Sequence, residues 1–200
     1  MKIDSGIVLK TCSSQAPEIT VLDRRLGKIK GKVHARNKNI RVGHGSIVTY
    51  TLSQRGASYT FDVVDLEFVP FTFAREDIFF LHHILELCYY FLPMGCPEDD
   101  VFNLLLYLFQ LQNNEKVRLR RRLILARLFT LFGMYPEHKK MSEYINIVVY
   151  QSLDQLLDMS VDIEMNRWLD QWVWECIMAH PYKEQFKTVW LLKRAESHEI

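Results

Sequence analysis

The sequence predicts an α+β protein in which a small N-terminal β-barrel packs on a C-terminal α-helical domain. Three observations predict it. Residues 1–75 fall into short β-branched or alternating runs separated by turn residues every ~8–12 positions. Residues 76–200 fall into long apolar runs with helix start and stop signals. The charge changes sign at the same place: 1–75 hold twelve Lys/Arg and six Asp/Glu, a net of +6, whereas 76–200 hold thirteen and eighteen, a net of −5. The chain of 200 residues, 48% hydrophobic and 24% charged, is long enough to bury a core without disulfides or metals. The expected division is 1–75 and 76–200, without a linker or internal repeat.

The strands read in order as follows. Ile7, Val8 and Leu9 follow Gly6. Ile19 to Leu22 end at Asp23, before a polar turn closed by Gly27. Positions 28–34 alternate Lys with Ile, Gly and Val. A polar stretch at 36–45 is a loop. Positions 47–52 are rich in β-branched residues, 53–56 read as a turn, and 57–69 carry Tyr59, Phe61, Val63 and Val64 up to Pro70. Five such strands in 75 residues fit a Greek-key OB-fold barrel.

The helices follow. Asp77 starts 78–92, and Pro93 with Gly95 stops it. Pro97 and the acids to Asp100 introduce 101–111. Glu115 opens a helix to Phe132, with Gly133 as the residue past its end and Pro136 beyond. A helix at 142–159 is expected, with a short strand at 144–150 as the alternative. Helices at 162–179 and 182–194 complete the domain.

Two clusters of charge are candidate sites. Arg24, Arg25, Lys28, Lys30, Lys32, Arg36, Lys38 and Arg41 form a run without an acid. On a strand, Lys28, Lys30 and Lys32 share one face at a spacing of ~6.6–6.8 Å, near that of nucleic-acid phosphates. Like charges stacked this way repel, and an anionic ligand gives them a reason to cluster. A solvated face is the plain alternative. Tyr50 and Tyr59 are possible base platforms, with ordinary strand residues of the barrel as the plainer reading. The second cluster is Lys116, Arg118, Arg120, Arg121, Arg122 and Arg127. In it, Arg118, Arg121 and Arg122 share a helix face, and so do Arg120 and Arg127. It reads either as solubilising charge or as a clamp for a terminal carboxylate, with Arg121 and Arg122 as the gripping pair.

Other signals exclude classes. Cys12, Cys88, Cys96 and Cys176 contain no C-x-x-C pair and suit reduced thiols in the cytoplasm. Residues 78–92 are interrupted by His82, His83 and Glu86 and fall short of the ~20 apolar residues of a membrane span. The N-terminus has no signal-peptide core. His82 and Glu86 stand four apart but lack a third ligand, so no metal is expected. Gly43 and Gly45 complete no dinucleotide fingerprint, and no Walker lysine or nucleophile elbow is present. Trp168, Trp172, Trp174 and Trp190 read as packing residues.

The ordered set of short motifs resembles a known family. It comprises the Gly6 to Lys10 opening, Leu26-Gly27-Lys28-Ile29, His34-Ala35-Arg36, Leu85-Glu86-Leu87, Phe102-Asn103-Leu104-Leu105, and the run from Leu123 to Pro136. Together they are similar to the bacterial recombination mediator family RecO, nearly end to end. The resemblance implies a non-enzymatic protein of DNA repair and recombination. Such a protein binds single- and double-stranded DNA, anneals strands, and helps load the recombinase onto strands coated by single-strand DNA-binding protein. The implied partners are that protein's acidic C-terminal tail and RecR; no cofactor and no catalytic residue are expected. Two departures stand out. Many family members carry a four-cysteine zinc site after the Gly-x-x-Pro segment, but here positions 138–143 contain no Cys. The family's Lys-Gly-Ala-Arg string is replaced by His34-Ala35-Arg36-Asn37-Lys38. A scaffold that binds only proteins, with the same fold, is the alternative. A hydrolase or transferase with a site around His82 and Glu86 is a more distant one.

Overall fold

The computed structural model describes residues 3–12, 18–34, 42–56, 58–111, 117 and 120–189. The side chains of Arg36, Lys38, Arg41, Lys116, Arg118 and Trp190, named above, lie outside the described residues.

Five strands form a closed barrel: β1 (Ile3–Cys12), β2 (Glu18–Asp23), β3 (Gly27–Val33), β4 (Ile47–Arg55) and β5 (Ser58–Phe68). Their order around the barrel is β1-β2-β3-β5-β4, closed by β1 on β4. This is the OB topology, with β3 and β5 parallel and the other pairs antiparallel. β1 is long enough to serve two neighbours. Its first half pairs with β4, its second with β2, and a register shift between Val8 and Lys10 lets it bend from one to the other. β4 runs through Arg55, so Ser53 and Gln54 pair with Thr60 and Tyr59, and the expected turn at 53–56 is narrower. Gly31 allows β3 and β5 to meet: a Cβ there would lie 2.5 Å from the Tyr59 carbonyl oxygen.

Alternation divides the side chains as the period of two requires. Val8, Ile19, Val21, Ile29, Val48, Tyr50 and Phe61 fill the interior. A polar pair stands among them. The Tyr50 hydroxyl donates to Asp23 Oδ2 at 2.5 Å, and Asp23 Oδ1 accepts the backbone N–H groups of Arg25 and Leu26 at 2.7 and 2.6 Å. Asp23 thus ties the β2–β3 turn to the barrel core, and its burial is matched by three donors. Burial and this bond raise the Tyr50 phenol's pKa far above its ordinary value.

Two helices belong to the same compact unit, which runs from Met1 to Gln110 rather than ending at 75. α1 (Phe71–Phe91) breaks at Asp77, whose φ of −152° is not helical and whose Oδ1 accepts the Phe80 N–H at 3.0 Å. Asp77 therefore caps the helix read from the sequence, and a preceding turn joins it after Pro70. α1 packs on β1. Ile7, Leu9 and Leu22 are buried although they lie outside the barrel's inner cluster. The segment after α1 returns to the barrel. Gly95 donates its N–H to the Lys28 carbonyl at 2.9 Å, and Met94 bridges Lys28 in parallel. That segment takes the edge of β3 that β5 leaves unpaired, since β5 pairs only from Gly31 onward. α2 (Asp99–Gln110) follows, with Asp99 and Asp100 in its first turn. Residues 76–110 bring six acids and no base, so this unit holds twelve Lys/Arg and twelve Asp/Glu. The charge asymmetry seen across 75 lies within one unit, between its barrel and its helices.

The second unit, Leu111–Ile200, contains α3 (Arg121–Leu131), α4 (Lys139–Tyr150), α5 (Leu153–Asp158) and α6 (Ile163–Ala179). α3 is its centre, with Leu123, Ile124, Ala126, Leu128 and Phe129 buried and α4 and α6 packed against it. Gly133 at φ +81° ends α3 in a Schellman motif: Gly133 N–H reaches the Thr130 carbonyl, and Met134 N–H reaches Phe129. The span expected as one helix at 142–159 is two. Ser152 and Gln155 form a capping box that restarts the chain as α5, and 144–150 is helix rather than strand. Asp162 caps α6 through the Met165 N–H at 2.7 Å. Within the helix expected at 182–194, Lys183–Gln185 form a 3-10 turn and Thr188 and Val189 are helical; positions 190–194 lie outside the described residues.

Candidate nucleic-acid interface

β3 places Lys28, Lys30 and Lys32 on its outer side because Ile29 and Gly31 face inward. The three ammonium groups then meet different fates. Lys28 is 7% exposed, and its Nζ donates to the Tyr89 carbonyl at 2.6 Å. Burial lowers its pKa. It is a packing residue, and the phosphate contact expected of it is not available at this surface. Lys30 is exposed and pairs with Glu18 across the β2–β3 ladder at 2.7 Å, and that carboxylate raises its pKa. Lys32 is exposed, opposite Glu18 in register. In the β2–β3 turn, Arg25 grips both oxygens of Asp4, at 2.9 and 3.1 Å. Arg24 is exposed and stands over the Phe102 ring at 5.8 Å.

Two residues that sequence reading passed over join this surface. Lys10, exposed on β1, lies 4.3 Å from the centroid of the Tyr89 ring, and Lys28 lies 5.5 Å from it. Tyr89 is half-buried on α1, with Tyr90 edge-on at 5.0 Å. Lys10 therefore borders an aromatic ring, and across the β1–β2–β3 ladder Lys30 and Lys32 are the exposed cations of β3. This pairing of ammonium and π-face suits the backbone and bases of a nucleic acid. Nothing local could have found Lys10 and Tyr89, since their proximity depends on α1 folding back onto β1. Tyr50 is fully buried inside the barrel, so it offers no platform to a base. Tyr59 is half-buried against the barrel core, beside a polar cavity of about 350 Å³ shared with Asp4, Arg25, Thr51 and Gln54.

Of the arginines in the second unit, Arg122 Nε donates to Asp170 on α6 at 2.6 Å. Its guanidinium already has a carboxylate partner. Arg121 is half-buried at the start of α3. Arg127 reaches α4, donating to the carbonyls of Val148, at 3.1 Å, and Gln151. These carbonyls sit at the C-terminal end of α4, where a cation is favoured.

His82 stacks edge-on with His44 at 5.2 Å, and His44 shares a hydrogen bond with Thr11 Oγ1 at 3.2 Å. Burial, His82 and Lys10 lower the His44 pKa. His83 is fully enclosed, and burial pushes it down to about 3. Among the described residues no three His, Cys, Asp or Glu side chains stand together as metal ligands, and no helix is long and apolar enough to cross a membrane. The four cysteines are free thiols, Cys88 and Cys176 buried, Cys12 and Cys96 exposed. No family model matches the chain, and no curated protein matches it.

Proposed function

We propose that this chain is a non-enzymatic, cytoplasmic DNA-binding mediator of repair and recombination. In this reading it captures single- and double-stranded DNA on the barrel, promotes annealing, and helps load a recombinase onto coated strands. The observation that carries the reading is exposed Lys10 beside Tyr89, with Lys30 and Lys32 exposed on β3 of the same OB barrel. The ammonium groups supply sequence-independent attraction to phosphates, and the ring supplies a stacking face. The RecO-like order of motifs supplies the cellular context and the partners, a single-strand DNA-binding protein tail and RecR. No bond is made or broken in this role.

A second reading, a scaffold that binds proteins alone, is favoured by one observation. Lys28 is covered, and Lys30 and Arg25 already have carboxylate partners. One set of variants separates the two. Fluorescence anisotropy with labelled single strands is measured across a salt series. Under the DNA reading, Lys10→Glu with Lys32→Glu flattens the slope of log affinity against log salt by about 0.7 per lost phosphate contact. Glu18→Gln releases Lys30 and tightens binding. No binding at low salt, or a slope indifferent to all three changes, removes the barrel face from nucleic-acid recognition and leaves the scaffold.

A further inference from the structure

The second unit holds a surface groove that the nucleic-acid reading does not use. Its cavity is about 520 Å³, and it lies between the 134–138 connection, the start of α4 and one face of α6. Its walls combine two chemistries. Trp172, 7% exposed and edge-on to Phe129 at 6.1 Å, is a rigid floor. Trp168, whose ring lies 5.2 Å from that of His138, and Tyr135, 59% exposed, line it with open aromatic surface. Among the described residues lining it are two carboxylates, Glu137 and Glu175, and no Lys or Arg. The next residues in the chain, Lys139 and Lys140, do not line it. The Gln171 amide donates to Glu175 Oε1 at 2.8 Å, so this carboxylate is oriented along the α6 wall.

Aromatic faces with paired carboxylates attract a cation that also carries an apolar body. We infer that this groove docks a basic peptide segment of a protein partner, taking an Arg or Lys side chain against Trp168 and Trp172 with Glu137 and Glu175 as counter-charges. The same lining repels a terminal carboxylate, so an acidic tail has no place in it. An arginine suits it well, since its guanidinium is planar, stacks on indole and is weakly hydrated. The aromatic walls cover the stem of the side chain, while its charge meets two exposed carboxylates and stays sensitive to salt.

The test uses the full chain and a capped heptapeptide with one central arginine flanked by leucines, with twins carrying citrulline or glutamate at the centre. Binding is followed by calorimetry and tryptophan fluorescence. The arginine peptide is expected to bind at least about tenfold more tightly than the citrulline twin. Glu137→Gln with Glu175→Gln, an isosteric change at exposed positions, abolishes that preference while leaving the circular dichroism unchanged. Trp168→Ala weakens both peptides, and Trp168→Phe restores part of the loss. Equal affinity for the arginine and citrulline peptides, preference for the glutamate twin, or no saturable binding up to about 1 mM overturns the inference. DNA affinity plays no part in this readout, so it stands or falls apart from the barrel's role.

Discussion

On β3 three lysines stand two residues apart; at the start of α3 and along it, arginines stand one, two, five, six and seven apart. The strand sends every lysine to the same outer side, and two of the three stay exposed. The helix rotates its arginines around the axis by about 100° per residue, so they meet different neighbours. Arg122 faces Asp170 on α6 and Arg127 faces the end of α4. Clustered charge on a strand at a barrel surface is therefore largely presented to solvent. The same density of charge on a central helix is largely consumed in holding other helices. Lys28 is the exception that clarifies the rule: it points outward like its neighbours, but α1 covers that end of the strand.

The comparison is broken most severely at Arg127. Arg127→Ala removes a charged donor from the last carbonyls of α4 and is expected to cost about 2–3 kcal/mol in urea unfolding. A loss below about 0.5 kcal/mol would mean that the helix arginines are as dispensable as surface charge.

Lys28 sharpens it through pH. Its folded-state pKa lies below 10.5 because of burial, so between those two values the unfolded chain holds more protons than the folded one. Stability therefore rises with pH through that window and is highest above it. Lys28→Met keeps the packed stem, abolishes this alkaline gain and, at neutral pH, stays within about 1.5 kcal/mol of the parent. Denaturant midpoints between neutral and alkaline pH measure it. The same variant leaves the salt slope of DNA binding unchanged, whereas a flattened slope would return Lys28 to the interface.

The smallest effect is expected at Arg122. Its ion pair is 39% and 46% exposed on the two sides, so Arg122→Ala costs at most about 1 kcal/mol, and less in high salt. A larger, salt-insensitive loss would show that this pair acts as a buried tie between α3 and α6.

Periodicity and caps were legible in the residues because they act over three or four positions. The alternation of 28–34, the Asp77 cap and the Gly133 stop all stand where the sequence places them. The split at Ser152 is carried by a Ser and a Gln three residues apart, a signal weaker than the longer apolar pattern that surrounds it. The boundary at 75 followed composition, whereas the compact unit continues to Gln110 because Gly95 and Met94 come back to the edge of β3.

By itself, then, the sequence determined an OB barrel followed by helices, since strand and helix periods are local properties of side-chain order. Only the tertiary structure decided which cations remain open to a ligand. Lys30 meets Glu18, Lys28 meets Tyr89 and Arg122 meets Asp170. The same is true of Lys10 beside Tyr89 and of the groove in front of Trp172. A charge's availability depends on what stands within a few ångströms of it, and those neighbours come from distant stretches of chain.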